Sequence, residues 1–139
     1  MNEPVNSDVL LSVTDLKVHF PRARSGWFGQ REVVKAVDGV SFEVRRGSTL
    51  AIVGESGSGK TTTALAVMRL SPVTAGQIQL GNADLGALEG EALRLARRRL
   101  QIIFQDPFSS LNPRARAGAA VRAPLELMNV GTPEERSAR

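Results

Sequence analysis

The segment that decides the fold class runs Gly54-Glu55-Ser56-Gly57-Ser58-Gly59-Lys60-Thr61. Its fixed positions satisfy the pattern G-x-x-x-x-G-K-[ST]. The continuous apolar run before it, residues 49–53, predicts a strand buried on both faces. After it, Thr61 to Leu70 predicts a helix that Ser71-Pro72 ends. A buried strand, a glycine-rich loop and a helix in this order indicate an α/β domain that binds phosphate.

The residue types in this loop follow from the chemistry of phosphate. Gly54, Gly57 and Gly59 are expected to take backbone conformations closed to residues with side chains, so that the loop can curl closely around a phosphate. The N–H groups that such a loop exposes form an anion-binding nest, which the positive end of the following helix strengthens. Lys60 is placed to reach the β- and γ-phosphates, and the Thr61 hydroxyl to bind Mg²⁺. The loop predicts a bound nucleotide and leaves adenine or guanine open.

The composition excludes several other classes of site. The chain has no cysteine and one histidine, so a disulfide framework, a thiolate metal site and a histidine metal cluster are excluded. Residues 1–8 lack the basic and apolar regions of a secretory signal and predict a flexible tail. No apolar run approaches the roughly 18 residues of a membrane span. We therefore expect a soluble, cytoplasmic protein.

The positive charge lies late in the chain. The formal net charge is +4, and residues 91–139 contain nine arginines against five acidic residues. A nucleic-acid-binding face is one interpretation of this surplus. A solvated, arginine-rich helix is the simpler interpretation, and it is the one we favour.

Hydrophobic periodicity predicts the remaining elements. Strands are expected at 9–20, 40–44, 77–80 and 100–104, and helices at 89–99 and 117–128. Residues 9–20 are expected to form one edge strand or two, Asp38-Gly39 is expected in a turn, and the strand at 100–104 is expected in a buried position. Pro124 is expected to interrupt its helix. Thr132-Pro133-Glu134-Glu135 predicts a helix start through a capping box, and we expect a truncated domain because the chain ends one turn later.

Several segments resemble one family. Residues 54–62 resemble the Walker A segment of ABC transporter ATPases, and 36–42 and 74–78 resemble the strands before and after it. The most specific likeness is to the Q-loop of the oligopeptide and dipeptide importer branch, in the segment Gln101-Ile102-Ile103-Phe104-Gln105-Asp106-Pro107-Phe108-Ser109-Ser110-Leu111-Asn112-Pro113-Arg114. The resemblance extends from about Leu16 to Leu127. It implies part of a P-loop NTPase domain of the ABC type. Residues 9–115 would hold an antiparallel β subdomain and an incomplete RecA-like core, and residues 116–139 the start of the helical subdomain.

The resemblance also implies the roles of individual residues. Phe20 would stack on the adenine ring, and Lys60 and Gln105 would be catalytic, with Thr61 and Gln105 binding Mg²⁺. The nucleotide-binding loop would comprise Gly54, Glu55, Ser56, Gly57, Ser58, Gly59, Lys60, Thr61 and Thr62. The implied cofactors are therefore ATP and Mg²⁺.

At the level of the whole protein, the resemblance implies the energising ATPase subunit of an importer of peptides or related small solutes. Such a subunit would bind transmembrane permease subunits and a second ATPase subunit on the inner face of the cell membrane. No nucleic-acid partner is expected, and the transported substrate is left open.

Three motifs of that family are missing from the sequence. The signature near Leu-Ser-Gly-Gly-Gln, the apolar Walker B strand ending in Asp-Glu and the switch histidine are all absent after the Q-loop. Three parts of the chain are superficially similar to these motifs, but each has the wrong position or composition: residues 74–77, residues 102–106 and His19. We therefore expect weak binding of Mg-ATP with negligible hydrolysis. Residues 50–53 and 100–104 would also have exposed edges, because the central partner strands of the parallel sheet would be lacking.

Two alternative functions stay open from the sequence. One is another P-loop enzyme, such as a small kinase or a GTPase. A GTPase would need an Asn-Lys-x-Asp motif, which the chain lacks, and a kinase would not need the segment around Gln105. The other is a non-catalytic nucleotide-binding or nucleic-acid-binding module, which a steep salt dependence of DNA binding would support.

Overall fold

The computed structural model describes residues 8–22, 33–106 and 111–138. The strands are β1 (Val9–Pro21), β2 (Val33–Arg45), β3 (Ala75–Leu80) and β4 (Ala83–Asp84), and the helices are α1 (Lys60–Val67), α2 (Gly90–Arg97), α3 (Ala117–Leu127) and α4 (Pro133–Ala138). The chain divides into two units, residues 1–97 and residues 98–139, which are described separately. Most of the tail expected at residues 1–8, and residues 107–110 of the Q-loop segment, lie outside the described residues.

The first unit is built on an antiparallel sheet with the strand order β2-β1-β3-β4. The prediction of a first strand at 9–20 is confirmed, but its expected place at an edge is wrong, because β1 pairs with both β2 and β3. Alternating hydrophobicity reports which side chains are buried and carries no information on how many strands lie alongside. The buried residues on these strands are Val9, Val13, Leu16, Val18, Val37, Ile78 and Leu80.

Asp38-Gly39 lies inside β2 and does not form the predicted turn. The register steps from Leu16 opposite Val40 to Lys17 opposite Asp38, so Gly39 is an extra residue in β2. Its φ of 86° is the left-handed conformation that a turn would also require. A bulge and a tight turn therefore have the same sequence signal, and only the pairing of the strands separates them.

The segments 49–53 and 100–104 form no strand, which contradicts the prediction of two buried strands. Val53 is 91% exposed and Ile103 is 96% exposed. A parallel strand needs hydrogen-bonded neighbours on its edges, and within the described part of the chain no strand pairs with either segment. The exposure agrees with the expectation that these segments would lack their partner strands.

The helices follow the sequence closely, with one difference. Helix α3 continues through Pro124 to Leu127, in contrast to the interruption expected there. Pro124 is exposed, so water can reach the backbone next to the missing N–H group.

Helix α4 begins with the predicted capping box, in which the Thr132 N–H donates to Glu135 Oε2 at 2.9 Å and the Glu135 N–H donates to Thr132 Oγ1 at 3.3 Å. Hydrogen bonds from its own N–H and from the Thr132 hydroxyl lower the pKa of Glu134.

His19, which resembles the switch histidine only in residue type, takes part in a polar cluster on the sheet. Its Nε2 lies 2.8 Å from Asp38 Oδ1, and Lys35 Nζ donates to Asp38 Oδ2 at 3.1 Å. Hydrogen bonds from Lys35 and then from His19 hold the pKa of the Asp38 carboxyl below its usual value. These side chains therefore link β1 and β2 on the surface of the sheet.

The pairing of β3 with β1 leaves no room for a side chain at Gly76, which can be tested by substitution. A Cβ at Gly76 would lie 2.5 Å from the Asp15 carbonyl oxygen and 2.7 Å from Leu16 Cα, and its φ is +99°. At Gly47 the φ is +71°, but a Cβ there would meet nothing within 4 Å. We expect Gly76→Ala to lower the free energy of unfolding by about 2–5 kcal/mol, from backbone strain plus overpacking. Gly47→Ala should cost only the strain, about 1–2 kcal/mol.

Urea denaturation of the two variants beside the parent chain measures this difference. Equal losses at the two glycines would contradict the close approach of β3 to β1.

Candidate functional site

The glycine-rich loop leads directly into α1. The Ser58 N–H donates to the Glu55 carbonyl at 3.2 Å, which closes a turn, and Gly59 is the N-cap of the helix. The Gly59 carbonyl accepts the Thr63 N–H at 2.8 Å and the Thr63 hydroxyl at 3.0 Å. The N–H groups of residues 60–62 precede this first hydrogen bond and have no acceptor within the helix. With neither a side-chain cap nor an acidic residue in the first turn, the helix presents these groups to an anion.

The three glycines of the loop are required for different reasons. Gly57 and Gly59 have φ values of 83° and 90°, in the left-handed region. Gly54 is not among the positive-φ residues, so the expectation that all three supply special backbone conformations is wrong for it. A Cβ at Gly54 would instead lie 2.6 Å from Ser58 Oγ. A side chain at Gly54 would therefore press on Ser58, whose hydroxyl would have to turn away, whereas the backbone of Gly54 needs no left-handed conformation.

Strand β2 supports the loop through a bulge at Ala36. Val37 pairs with Val18 and Lys35 pairs with His19, which leaves Ala36 with no residue opposite it in β1. A Cβ at Gly59 would collide with the Ala36 carbonyl oxygen and would lie 3.5 Å from Val37 Cγ2. Bulges redirect backbone groups out of the ladder, and this one brings the Ala36 carbonyl against the loop. No sequence pattern indicates this support, because a bulge depends on the register of two strands.

The Lys60 ammonium group lies against the backbone of the loop. Its Nζ donates to the Gly54 carbonyl at 2.8 Å, to the Glu55 carbonyl at 2.6 Å and to Ser58 Oγ at 3.4 Å. Its charge is therefore held against the backbone of the loop that leads into α1. A positive side chain and a helix N-terminus at one place favour an anion with several negative charges.

The three threonines that follow Lys60 differ in exposure. Thr61 is exposed in the first turn, where its hydroxyl is accessible to a metal ion, and Thr62 is half-buried. Thr63 is 4% exposed, and its hydroxyl bonds to the Gly59 carbonyl. Thr63 therefore fixes the start of the helix, a role that the sequence pattern does not indicate because this residue lies outside the loop motif.

Phe20 lies near the end of β1, directly opposite Val34 of β2, and is 37% exposed. Its side chain is therefore not part of the buried core of the sheet. Val34 precedes Ala36 by two residues, which corresponds to about 7 Å along the strand. Phe20 is thus tied through β2 to the same strand segment that supports the loop.

Gln105 belongs to the second unit. It is exposed and lies outside the helices and strands. Its role at a nucleotide site rests on the resemblance of the surrounding sequence and stays a prediction.

A glycine-rich loop, an open helix N-terminus and a lysine above them define a nucleotide-binding domain of the phosphate-loop class. A family model described as ABC transporter matches residues 37–137, and the chain belongs to this family. The members of this family bind nucleotide, and membership of it decides against the GTPase and kinase alternatives. Among the described residues, no helix is long and apolar enough to cross a membrane.

Two similar proteins carry names that specify transport. The chain is 48% identical over 121 residues to the "Probable peptide ABC transporter ATP-binding protein y4tS" of Sinorhizobium fredii, covering 86% of this chain and 34% of that protein. It is 46% identical to the "Oligopeptide transport ATP-binding protein AppF" of Bacillus subtilis, covering 95% of this chain and 40% of that protein. The chain therefore spans less than half the length of both relatives.

A solved structure has the same fold. The ATP-binding cassette MJ0796, described as dimeric, in a post-hydrolysis state and bound to ADP and Pi, superposes with a TM-score of 0.70 at 25% identity. The match covers 92% of this chain and 53% of that one. The predicted fold class, a partial ABC-type ATPase domain with an antiparallel β subdomain, is confirmed.

The contact of Gly59 with β2 is testable through its nearest neighbours. We expect Gly59→Ala to push the loop away from the Ala36 carbonyl, because the new methyl group would occupy the position of that oxygen. The backbone amide signals of Ala36 and Val37 should then shift in a ¹⁵N–¹H NMR spectrum. Gly57→Ala is the matched control, because Gly57 has a similar φ with nothing within 4 Å.

The control variant should shift only signals of the loop and the first turn of α1. Unchanged Ala36 and Val37 signals in Gly59→Ala would show that the loop does not rest on β2.

Proposed function

We propose that this chain binds Mg-ATP through residues 54–62 and forms part of the ATPase subunit that energises an ABC importer. The observation that carries the proposal is the geometry of the loop. Its glycines bring the N-terminus of α1 and the Lys60 ammonium group close to the same loop. Membership of the ABC transporter family supports a nucleotide as the ligand of this loop.

Each residue of the loop has a role in holding the phosphates. The N–H groups at the start of α1 would bind phosphate oxygens, and Lys60 would exchange its loop carbonyls for the β- and γ-phosphates. Thr61 is exposed at the right point of the helix for its hydroxyl to bind Mg²⁺, and Gln105 is the second proposed ligand. Bound Mg²⁺ would neutralise charge on the phosphates.

Phe20 is the proposed adenine platform. Its ring is partly exposed on β1, opposite Val34 and close along the sheet to the support of the loop at Ala36. A flat apolar ring can stack on a base without reading its hydrogen-bonding edge. Discrimination for adenine would therefore come from the fit of the base on this ring together with groups near it.

The transport function rests on the relatives. The proteins from Sinorhizobium fredii and Bacillus subtilis are named for peptide and oligopeptide transport, and MJ0796 is described as dimeric. We therefore propose peptides or related small solutes as the cargo of the assembly. Its other members would be permease subunits and a second ATPase subunit, at the inner face of the cell membrane.

The sequence of this chain contains no Walker B strand ending in Asp-Glu and no signature motif. In family members that contain them, the Walker B strand would position the attacking water, and the signature motif of a second subunit would close the site. Charge neutralisation by Lys60 and Thr61 alone does not orient a nucleophile. The activity proposed for this chain is accordingly nucleotide binding, with negligible hydrolysis.

Lys60 provides the first test of this proposal. We expect Lys60→Ala to weaken binding of a fluorescent ATP analogue with Mg²⁺ by about 10- to 100-fold, because a charge-assisted hydrogen bond contributes about 1.5–3 kcal/mol. Lys17→Ala is the matched control, because it removes the same charge from a lysine that pairs with Asp15 on the sheet. Equal weakening by both variants would contradict a specific role for Lys60. A sustained ATPase rate that Lys60→Ala abolishes would contradict the expected lack of hydrolysis.

Phe20 provides a separate test for the base. We expect Phe20→Leu to weaken ATP binding by roughly tenfold, because stacking of a base on an aromatic ring contributes about 1–3 kcal/mol. Binding of inorganic triphosphate should be unchanged, and Phe20→Tyr should restore ATP binding. Competition titrations with both ligands measure this, and a parallel loss for ATP and triphosphate would rule out stacking as the role of Phe20.

A further inference from the structure

The second unit contains a cavity lined by three arginines. It has a volume of about 390 Å³ and lies between the start of α3 and helix α4, with Arg116, Arg122, Arg136 and Ser137 among its lining residues. The acidic residues on the same helices, Glu126, Glu134 and Glu135, are not in its lining. We call this cavity the arginine pocket. Among the described residues, the lining carries positive charge and includes no carboxylate.

The hydrogen bonds of Arg122 are incomplete. Its Nη1 lies 3.5 Å from Ser137 Oγ, at the outer limit of a hydrogen bond. Its Nε is shielded from solvent and has no hydrogen-bond partner among the described residues. A shielded donor of a charged group that lacks an acceptor destabilises the fold. The guanidinium group would have to turn for this Nε to reach an acceptor in the pocket, because the atom is closed to solvent.

The other donors of the pocket are arranged around Arg122. Arg116 is the N-cap of α3 and contributes no side-chain cap, so the N–H groups at the start of this 11-residue helix have no side-chain acceptor there. Arg136 Nε donates to the Val130 carbonyl at 2.8 Å, which fixes the position of its guanidinium group on α4. Gly118 has no side chain and Ala119 only a methyl group, so little bulk stands between the helix backbone and the cavity.

We propose that the arginine pocket binds the phosphate group of a small anionic ligand. Guanidinium groups match the oxygen geometry of phosphate and bind it through paired hydrogen bonds. A phosphate group with a charge of about −1.5 to −2 at pH 7 balances three arginines better than a single carboxylate does. The volume is within the range of small-molecule sites, so the phosphate can carry an organic group. This site is separate in sequence from residues 54–62, and it does not depend on the proposed function of that loop.

The test is a titration of the chain with inorganic phosphate at constant ionic strength, followed by NMR. The Nε–Hε signal of Arg122 and the amide signals of Gly118 and Ala119 should shift and saturate together. Signals of Gly57 and Gly59 report separately on phosphate at the glycine-rich loop. Arg122→Gln and Arg136→Gln should each weaken the affinity of the pocket by about tenfold. Arg114→Gln, which removes the same charge from an exposed turn outside the lining, should change it by less than about twofold.

Two results would overturn the proposal. One is a wild-type titration in which the Arg122 and Gly118 signals do not saturate, or in which only the loop signals respond. The other is an equal effect of Arg114→Gln and Arg122→Gln, which would show a general response to charge. Circular dichroism checks that each variant retains its helices. If Arg122→Gln loses them, Arg122→Lys decides, because it keeps the charge but lacks Nε, and it should still weaken binding several-fold.

Discussion

The close approach of Gly59 to the Ala36 carbonyl of β2 is the contact on which the nucleotide-binding loop depends. It joins a loop to a sheet mainly through backbone atoms, and it requires the bulge that takes Ala36 out of the ladder. From Gly59 the helix starts in a fixed direction, held by two hydrogen bonds from Thr63. The directions of the helix N-terminus and of Lys60 both follow from this anchor.

The beginning of the loop, at Gly54, has less support from the sheet than its end at Gly59. Segment 50–53 leads into Gly54 as exposed apolar chain, and with Val40 and Phe42 of β2 it lines a cavity of about 360 Å³ that reaches Ser58 and Lys60. The antiparallel sheet therefore fixes the end of the loop, whereas its beginning follows a segment without a paired strand among the described residues. Transfer of this apolar surface out of water would stabilise any arrangement that covers it.

Local patterns predicted most of what is local in this structure. The loop, helix α1, strands β1 and β3 and the capping box of α4 depend on residues close in sequence, and all were predicted. Most of the errors concern pairing at a distance: the strands expected at 49–53 and 100–104, the edge position of β1 and the turn at Asp38-Gly39. The interruption expected at Pro124 and the backbone conformation expected of Gly54 are local errors. The support from Ala36 and the convergence of Arg116, Arg122 and Arg136 also depend on tertiary packing. No periodicity in a single sequence contains that information.

Amide hydrogen exchange at Thr63 tests the central claim most directly. The Thr63 N–H donates to the Gly59 carbonyl, so it is protected only while Gly59 is held in place at the start of α1. Protection comparable to that of the β1–β2 ladder is expected in the chain without added nucleotide, since the anchor is part of the fold. Exchange of Thr63 at the rate of an unstructured peptide, beside a protected ladder, would show that the sheet does not fix the loop.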